Sequence, residues 1–324
     1  MSHNSPVLGH QRVELRFTEA LKQQRMHHAW LLYGMKGIGK RMLAERLTGL
    51  LMCDSHNDCG ECHGCRMLAA GSHPDVYRVG LAEGKRDVNI EQVRQMLGFL
   101  SLSGSEGERR VVILDDAERL NHQAANALLK GLEEPSAGSV LLMVCADLER
   151  LPATIRSRCM LQQCMPLAEH DVRRILDASL MEGDNKPDVA TLELAVELAE
   201  GCPGMVASLQ DKKIADALLA WQALIAQLDH ADIGRVDEWI RQHVGIVPHA
   251  LIVRTLLAPV YPLLQQQFDA ASFTAAELLR SAAHDCARWP ADVVRSSLRA
   301  APTLLAYVLA LRSAIKAMPV DRTT

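Results

Sequence analysis

Residues 29–41 read AWLLYGMKGIGKR, which is an apolar run followed by a glycine-rich turn and a lysine. The run Ala29–Tyr33 predicts a buried strand, and the apolar-rich stretch Met42–Met52 predicts a helix after the turn. A G-x-x-x-x-G-K segment between a strand and a helix can surround phosphates with backbone N–H groups and a lysine. The candidate nucleotide-binding residues of this loop are Gly34, Gly37, Gly39 and Lys40.

The residue after the lysine departs from the usual pattern of a phosphate loop. Arg41 stands where Ser or Thr normally supplies a hydroxyl to Mg²⁺. A guanidinium cannot replace that ligand and brings a second positive charge toward the metal position. Two interpretations therefore stay open: a working nucleotide site, or a nucleotide-free loop kept for its shape. Binding of Mg–ATP by this chain is correspondingly doubtful.

The segments around the loop alternate between strand and helix patterns. Continuous apolar strands that alternate with helices predict an α/β domain with a parallel sheet covered on both faces. The predicted strands besides Ala29–Tyr33 are Asp75–Val79, Val111–Leu114 and Val140–Cys145, and the predicted helices are Val13–Gln24, Ile90–Leu100 and Ala124–Glu133.

Two acidic residues follow the most apolar of these strands. Asp115 comes directly after Val111–Leu114, where a phosphate-loop protein needs an aspartate to help hold magnesium. Asp116 stands where a glutamate usually orients the attacking water, and it is one methylene shorter. The alternative is a strand end with acids at an ordinary turn. Either way, the hydrolytic machinery is incomplete.

Four of the nine cysteines form a compact cluster. The spacing Cys53-x5-Cys59-x2-Cys62-x2-Cys65 can supply four soft donors to Zn²⁺ in a tetrahedron, with no position left for water. The cluster therefore predicts a structural zinc module at 53–65, against the alternative of free or redox-active thiols. His56 and His63 are expected to be exposed loop residues, because the thiolates already fill the metal's coordination positions.

Composition limits the remaining possibilities. With 324 residues and a hydrophobic share of 48%, the chain can form several packed domains and is not disordered. A net charge of −4 and an aromatic share of 4% argue against general attraction to nucleic acid and against base-stacking platforms. Apolar runs fall short of the roughly 18 residues that a membrane span needs, and the N-terminus has no apolar signal core. We expect a cytoplasmic protein without membrane contact.

The pattern of apolar and polar residues changes at Pro166. From there helical periods dominate, and Pro248, Pro262, Pro290 and Pro302 are expected to separate helices. The predicted domains are an α/β domain at 1–165, a small helical domain at 166–208 and an all-α domain at 209–324.

Several segments together resemble the delta-prime family of bacterial DNA polymerase III clamp-loader subunits, which are AAA+ proteins. The resemblance covers roughly residues 20–165. It rests on His28-Ala29, the Gly34–Lys40 loop, the cysteine module, Gly71–Asp75, Asp115-Asp116-Ala117, Ala124–Pro135 and Thr154–Cys159.

This resemblance implies an AAA+ domain, a helical lid at 166–208 and a collar domain at 209–324. Such subunits assemble with motor (tau/gamma) subunits and a delta subunit into a hetero-pentameric ring. The ring loads the β sliding clamp on primed DNA at the replisome, as an accessory to the DNA-directed DNA polymerase.

The resemblance also changes the interpretation of Ser157-Arg158-Cys159. Taken alone, Arg158 would be a solvated surface residue. By the resemblance it is an arginine finger that acts in trans on the ATP of a neighbouring subunit. Gly204 stands near the place where AAA+ motors often carry a nucleotide-sensing arginine.

Two functions follow as hypotheses. The first is a rigid ring member that is largely inactive as an ATPase, is not catalytic alone, and lends Arg158 to its neighbour. The second is a self-sufficient AAA+ ATPase of the motor type, which the presence of Lys40 and Asp115 favours.

Overall fold

The computed structural model describes residues 7–102, 104, 109–180, 188–269 and 273–318. The chain divides into two compact units. Unit 1 comprises Met1–Val172 and Glu200–Met205, and unit 2 comprises Arg173–Ala199 and Val206–Thr324. Among the described helices, none combines the length and the apolar character that a membrane crossing requires.

Unit 1 is built on a five-stranded sheet in the order β2-β3-β4-β1-β5, in which every neighbouring pair is parallel. The strands are β1 (Ala29–Tyr33), β2 (Val76–Val79), β3 (Arg110–Leu114), β4 (Ser139–Cys145) and β5 (Met160–Gln163). The predicted α/β class with a parallel sheet is therefore confirmed. In such a sheet the carboxyl ends of the strands share one edge, so the segments that follow β1 and β3 lie near each other.

The central strands form the core because they are apolar on both faces. Every residue of β3 is buried, and six of the seven residues of β4 are buried. Continuous burial of this kind is typical of a parallel sheet that is covered by helices on both sides. At one face, Phe17 packs edge-on against Trp30 with ring centroids 4.8 Å apart.

The helices of unit 1 connect these strands. They are α1 (Gln11–Lys22), α2 (Lys40–Met52), α3 (His63–Ala69), α4 (Ile90–Leu100), α5 (His122–Glu133) and α6 (Ala153–Arg156). Asparagine side chains cap the N-termini of two of these helices. Asn89 and Gln92 form a capping box at α4, and Asn121 accepts a hydrogen bond from the Ala124 amide at α5.

The remaining helices begin near the end of unit 1 and make up most of unit 2. They are α7 (Glu169–Leu180), α8 (Val189–Ala199), α9 (Lys212–Ile225), α10 (Ile233–His243), α11 (His249–Leu257), α12 (Val260–Asp269), α13 (Phe273–Ser296) and α14 (Ala300–Lys316). Trp221 and Trp239 stack in the core of unit 2 with ring centroids 4.5 Å apart. Their indole N–H groups donate to the Ile252 and Ala217 carbonyls, which satisfies both buried donors.

One expectation about the helical region is wrong. Pro290 lies inside α13 and does not separate two helices. Proline in a helix interior removes one backbone hydrogen bond. The neighbouring Trp289 is fully buried, and its indole donates to Thr303 Oγ1 of α14 at 2.9 Å. Tertiary packing of α13 therefore outweighs the local cost of the proline. The boundaries at 165 and 208 remain predictions.

Candidate functional site

The loop between β1 and α2 has the backbone of a phosphate loop. Gly34, Gly37 and Gly39 have φ values of 149°, 83° and 92°, a region that side chains with a Cβ rarely adopt. Gly39 is the N-cap residue of α2, so the first amides of that helix face the loop. The structure thus brings the predicted glycines together at the N-terminus of a helix, which favours bound anions.

Lys40 is buried within this loop. Its Nζ donates hydrogen bonds to the Gly34 carbonyl at 2.8 Å and to the Met35 carbonyl at 2.7 Å. Burial lowers the pKa of Lys40, and the surrounding groups Cys164, Glu118, Cys145 and Asp115 oppose that shift. The ammonium is therefore held by the loop's own carbonyl groups.

The segment that ends unit 1 packs directly on the loop. The Gly204 amide donates to the Gly37 carbonyl at 2.9 Å. A Cβ added at Gly37 would lie 2.8 Å from the Met205 amide nitrogen, so the approach requires glycine. Gly204, near the place where AAA+ motors often carry a nucleotide-sensing arginine, thus makes a backbone contact with the loop.

Asp115 lies at the end of β3, as predicted, and forms an ion pair with Arg41. The Arg41 Nη1 atom is 3.2 Å from Asp115 Oδ2, and the two side chains are 61% and 20% exposed. Asp115 Oδ1 also accepts a hydrogen bond from the Asp116 amide at 2.9 Å. Both carboxylate oxygens of Asp115 therefore have donors supplied by this chain.

Asp116 adopts a left-handed backbone conformation with φ of 50°. Burial, together with the neighbouring charges of Asp115 and Glu118, raises the pKa of Asp116. Glu118 accepts a hydrogen bond from the Ala146 amide at 3.0 Å, and with burial its charge raises the pKa of Cys145 to about 12. The acidic side chains after β3 are thus held by neighbouring elements.

His10 is a part of this site that the sequence reasoning did not find. Its Nε2 atom lies 2.7 Å from the Ile38 carbonyl, and the side chain is buried beneath the loop. Burial lowers the pKa of His10, opposed by the hydrogen bond to Ile38 and reinforced by the charge of Lys40. His10 therefore supports the loop from the start of α1.

Arg158 follows α6 and is held at several points. Nη1 donates to the Thr154 carbonyl at 2.9 Å and to Ser157 Oγ at 3.4 Å. Nη2 forms an ion pair with Glu133 Oε1 at 2.8 Å, and the arginine side chain is 37% exposed. Within the described part of the chain, none of these bonds involves the phosphate loop. The guanidinium is therefore partly open to solvent and separate in its contacts from this chain's own loop.

Cys159, next to Arg158, is anchored in the protein. Its Sγ donates to the Ile155 carbonyl at 3.1 Å, and burial raises the pKa of this thiol to about 12. Ser157 Oγ donates to the Thr154 carbonyl. The residues on both sides of Arg158 therefore fasten it to the end of α6.

The four clustered cysteines lie between α2 and α3, at the predicted positions. The sulfur atoms of Cys53, Cys59, Cys62 and Cys65 all lie within 4.8 Å of one another. Two of the sulfur–sulfur distances, Cys59–Cys65 and Cys53–Cys62, are 4.0 Å. Tetrahedral zinc bonds of about 2.3 Å place sulfurs about 3.8 Å apart, so the donor set fits a metal ion such as zinc.

Backbone amides are directed at these sulfurs. The amides of Cys59 and Cys62 donate to the sulfurs of Cys53 and Cys59 at 3.4 Å and 3.3 Å. Burial disfavours the Cys53 thiolate, but hydrogen bonds from Ser55 and neighbouring backbone groups outweigh it and hold the pKa of Cys53 at about 5. Burial, together with the neighbouring Cys62 and Cys53, raises the pKa of Cys65 in the same cluster. Thiolates are the form in which cysteine binds metals, so ligation by all four sulfurs needs the charge of the metal ion itself.

A buried ion pair fastens the cysteine loop to α2. Arg46 donates to Asp58 Oδ2 at 2.8 Å, where the two side chains are 16% and 2% exposed. Arg46 also pairs with Glu14 of α1 at 3.0 Å. The Asp58 carboxylate lies against Gly49, where a Cβ would come within 2.5 Å of it. The cysteine loop therefore packs on the same helix that follows the phosphate loop.

The nearby histidines have structural roles or are exposed. His56 and His63 are exposed, and His56 Nδ1 hydrogen-bonds the Leu50 carbonyl at 3.0 Å. His73 Nδ1 accepts a hydrogen bond from the Asp75 amide at 3.2 Å. Asp75 is fully buried and lies 3.5 Å from an Arg110 nitrogen, so His73-Pro74-Asp75 forms a fixed turn before β2.

Fold and site together define a phosphate-loop α/β protein with a four-cysteine module and a helical second unit. The family described as DNA polymerase III, delta subunit, matches residues 9–168. The chain is 32% identical over 232 residues to DNA polymerase III subunit delta' of Escherichia coli, covering 67% of this chain and 68% of that protein. The chain belongs to the delta-prime family of DNA polymerase III subunits.

Two other relatives match this chain over shorter parts of their own length. Subunit delta' of Pseudomonas aeruginosa is 47% identical over 140 residues, which cover 42% of this chain and 43% of that protein. Subunit tau of Escherichia coli is 31% identical over 231 residues, which cover 70% of this chain and 36% of that protein. The match thus spans less than half of either of these two relatives.

Proposed function

We propose that this chain is a clamp-loader ring subunit that does not turn over ATP itself but completes the ATP site of a neighbouring subunit. Its relatives carry the names of the delta', tau and gamma subunits of DNA polymerase III. The AAA+ domain would assemble with motor (tau/gamma) and delta subunits in a hetero-pentameric ring. That ring would load the β sliding clamp on primed DNA, in the cytoplasm at the replisome.

The observation that carries this proposal is the ion pair between Arg41 and Asp115. In an active phosphate-loop ATPase, a hydroxyl after the lysine and an aspartate at the strand end hold Mg²⁺ together. Here the hydroxyl is absent and the aspartate pairs with a guanidinium. A positive charge at this position disfavours a divalent cation beside it. The chain thus has its own cation where an ATPase uses a metal ion.

Two further features weaken hydrolysis by this chain. Asp116 is shorter than the glutamate that usually orients water, and its raised pKa reflects burial among other acids. A displacement of about 1 Å in a catalytic group already costs about a hundredfold in rate. Lys40 donates to carbonyls of its own loop, and those bonds compete with phosphate.

Arg158 supplies the other half of the proposal. Its hydrogen bonds and ion pair are to Glu133, Thr154 and Ser157 and not to this chain's own phosphate loop. The side chain is partly exposed and follows a helix end to which Ser157 and Cys159 are bonded. Arginine is permanently charged and stabilises the charge on a phosphoryl group in transfer. We therefore propose that Arg158 acts in trans, as an arginine finger for the ATP of the neighbour.

The cysteine module would hold one structural zinc ion through Cys53, Cys59, Cys62 and Cys65. Bound zinc would crosslink the loop between α2 and α3 and leave no open coordination position for catalysis. The lid at 166–208 and the collar at 209–324 would serve nucleotide-site coverage and ring assembly. Their boundaries are part of the proposal.

The test reconstitutes the complete clamp loader with Arg158→Ala. We expect DNA-stimulated ATP hydrolysis to fall by about tenfold or more and clamp loading to fall with it. Arg156→Ala is the matched control, because Arg156 lies two residues away and pairs with the exposed Glu149. Wild-type hydrolysis by the Arg158→Ala complex would refute the proposed role.

The competing hypothesis of a self-sufficient ATPase predicts a different result. Purified chain alone, mixed with Mg–ATP, would then show steady turnover that Lys40→Ala abolishes. Our proposal expects no turnover above that of Lys40→Ala. Turnover that depends on Lys40 would favour the motor-type ATPase.

A further inference from the structure

Glu133, at the C-terminal end of α5, holds the guanidinium of Arg158. Its Oε1 atom is 2.8 Å from Arg158 Nη2, while Nη1 is bonded to the Thr154 carbonyl and Ser157 Oγ. The two terminal nitrogens of the arginine thus have acceptors on two different elements, α5 and the end of α6. A side chain fixed from two sides has one preferred direction.

The location of Glu133 is unfavourable for its own helix. It is the last residue of α5, where the helix macrodipole repels a negative charge. Lys130 is the basic residue of that last turn, and its charge is favourable there. The Glu133 carboxylate has the opposite, unfavourable charge. A nearby cation relieves that repulsion, and Arg158 is the cation that contacts it. Formation of α5 therefore does not account for a carboxylate at this position, but the contact with Arg158 does.

The end of α5 is itself well fixed. His28 Nε2 lies 3.1 Å from the Leu132 carbonyl, which ties the last turn to the residue before β1. Leu128 and Leu132 are buried in the core cluster of unit 1. Glu133 therefore projects from a rigid support, which is what a positioning group needs.

We infer that Glu133 is a positioning residue that orients Arg158 for the neighbour's phosphate. This inference rests on the proposed role of Arg158. An unrestrained arginine side chain loses much rotamer entropy when it docks, and a preorganised fork loses less. Because the pair is partly exposed, the carboxylate restrains the guanidinium without cancelling its charge.

The test compares Glu133→Gln, Glu133→Asp and Glu134→Gln in the reconstituted clamp loader. Glu134 is an exposed neighbouring carboxylate and serves as the matched control. We expect Glu133→Gln to lower the kcat of DNA-stimulated ATP hydrolysis about fivefold. This is the largest rate change that the loss of one partly exposed ion pair should cause. KM for ATP and complex assembly should stay unchanged, because Arg158 acts on the charge developed during transfer. Glu133→Asp keeps the charge but shortens the side chain, so it should lose less of the rate than Glu133→Gln.

A double variant separates positioning from general effects. In an Arg158→Ala background, Glu133→Gln should cause no further loss, because the residue it positions is gone. An equal loss in that background, a loss with Glu134→Gln of the same size, or no loss with Glu133→Gln would each overturn the inference. If Arg158→Ala itself has no effect, the proposed function fails first, and the two failures are thereby distinguished.

Discussion

Arg41 Nη1 lies 3.2 Å from Asp115 Oδ2, which joins the second residue of α2 to the end of β3. The pair connects residues 74 positions apart in the chain. In a metal-dependent ATPase these two positions cooperate through Mg²⁺. In this protein they interact directly.

Arg41→Thr should restore part of a magnesium site. The substitution frees the Asp115 carboxylate and supplies a hydroxyl at the position where Mg²⁺ needs one. We expect ATP binding that is at least about tenfold tighter with Mg²⁺ than with EDTA, and we expect no such difference for the wild-type chain. Calorimetric titration of the purified chain measures it.

The control for this change is Arg94→Thr, since Arg94 also makes an exposed ion pair, with Glu91 at 3.8 Å. Stability should change by less than about 1 kcal/mol in both variants, because exposed ion pairs contribute little. If Arg41→Thr binds nucleotide equally well with and without Mg²⁺, Arg41 is not the residue that prevents magnesium binding at this site.

Purified protein should contain about one zinc ion per chain, bound by the four clustered thiols. Cys62→Ser should abolish retention of the metal and lower the Tm by about 5 °C or more, because the ligated fold of the loop is lost. Elemental analysis and thermal denaturation measure the two effects. Cys286→Ser, a buried thiol in unit 2, should retain full metal content. Metal-free protein with four titratable thiols in the cluster would exclude the zinc module.

Arg46→Met should destabilise α2 by about 3–5 kcal/mol, because it leaves the buried Asp58 carboxylate without its cation. Methionine preserves most of the apolar stem, so the loss reports on charge. Hydrogen exchange of the α2 amides measures the local free energy of opening. Arg173→Met breaks the exposed pair with Glu193 and should cost less than about 1 kcal/mol. Similar effects of the two substitutions would count against a buried ion pair at Asp58.

His10 should make the protein less stable in mild acid. Burial lowers the pKa of His10 in the folded state, so between that value and the unfolded value of about 6.5 the unfolded chain binds more protons. Stability from this group is therefore complete above about pH 6.5 and decreases as the pH falls toward the folded pKa. His28, whose pKa is also lowered mainly by burial, acts in the same direction.

His10→Gln keeps a donor for the Ile38 carbonyl but does not titrate in this range. We expect its free energy of unfolding to fall less between pH 7 and pH 5 than that of the wild type, by up to about 1.4 kcal/mol per pH unit in the affected window. The matched control substitution is His170→Gln, at an exposed position. Urea denaturation at both pH values gives the slopes, and identical slopes for wild type and His10→Gln would argue against a buried neutral histidine.

The regular parts of the fold were predictable because local pattern and tertiary burial agree. β1 and α4 have the predicted bounds. An apolar run that ends at Gly34 defines β1, and a helical period of apolar residues defines α4. β5 was not predicted. Its residues Met160–Gln163 include two glutamines and form an edge strand that is only partly buried, so no apolar run marks it.

The parts of the site formed by residues close together in the sequence could be predicted. The loop glycines, Lys40 and the cysteine cluster follow from spacing along the chain. The contacts of His10 with Ile38 and of Glu133 with Arg158 join elements whose relative placement depends on the whole sheet. A histidine before a helix and a glutamate at a helix end carry no local signal of those partners. The charge mismatch of Glu133 with its helix dipole was a clue, but it did not identify the cation.

Helix α2 begins at Lys40 in the phosphate loop and ends at Met52, one residue before the first clustered cysteine. Each residue of an α-helix turns the chain by about 100°, so one inserted or deleted residue would rotate Cys53 away from its three partner thiols if Lys40 stayed in place. The length of this helix is therefore fixed at both ends by chemistry. Relatives that keep both the loop and the thiol cluster should therefore keep the number of residues in this helix.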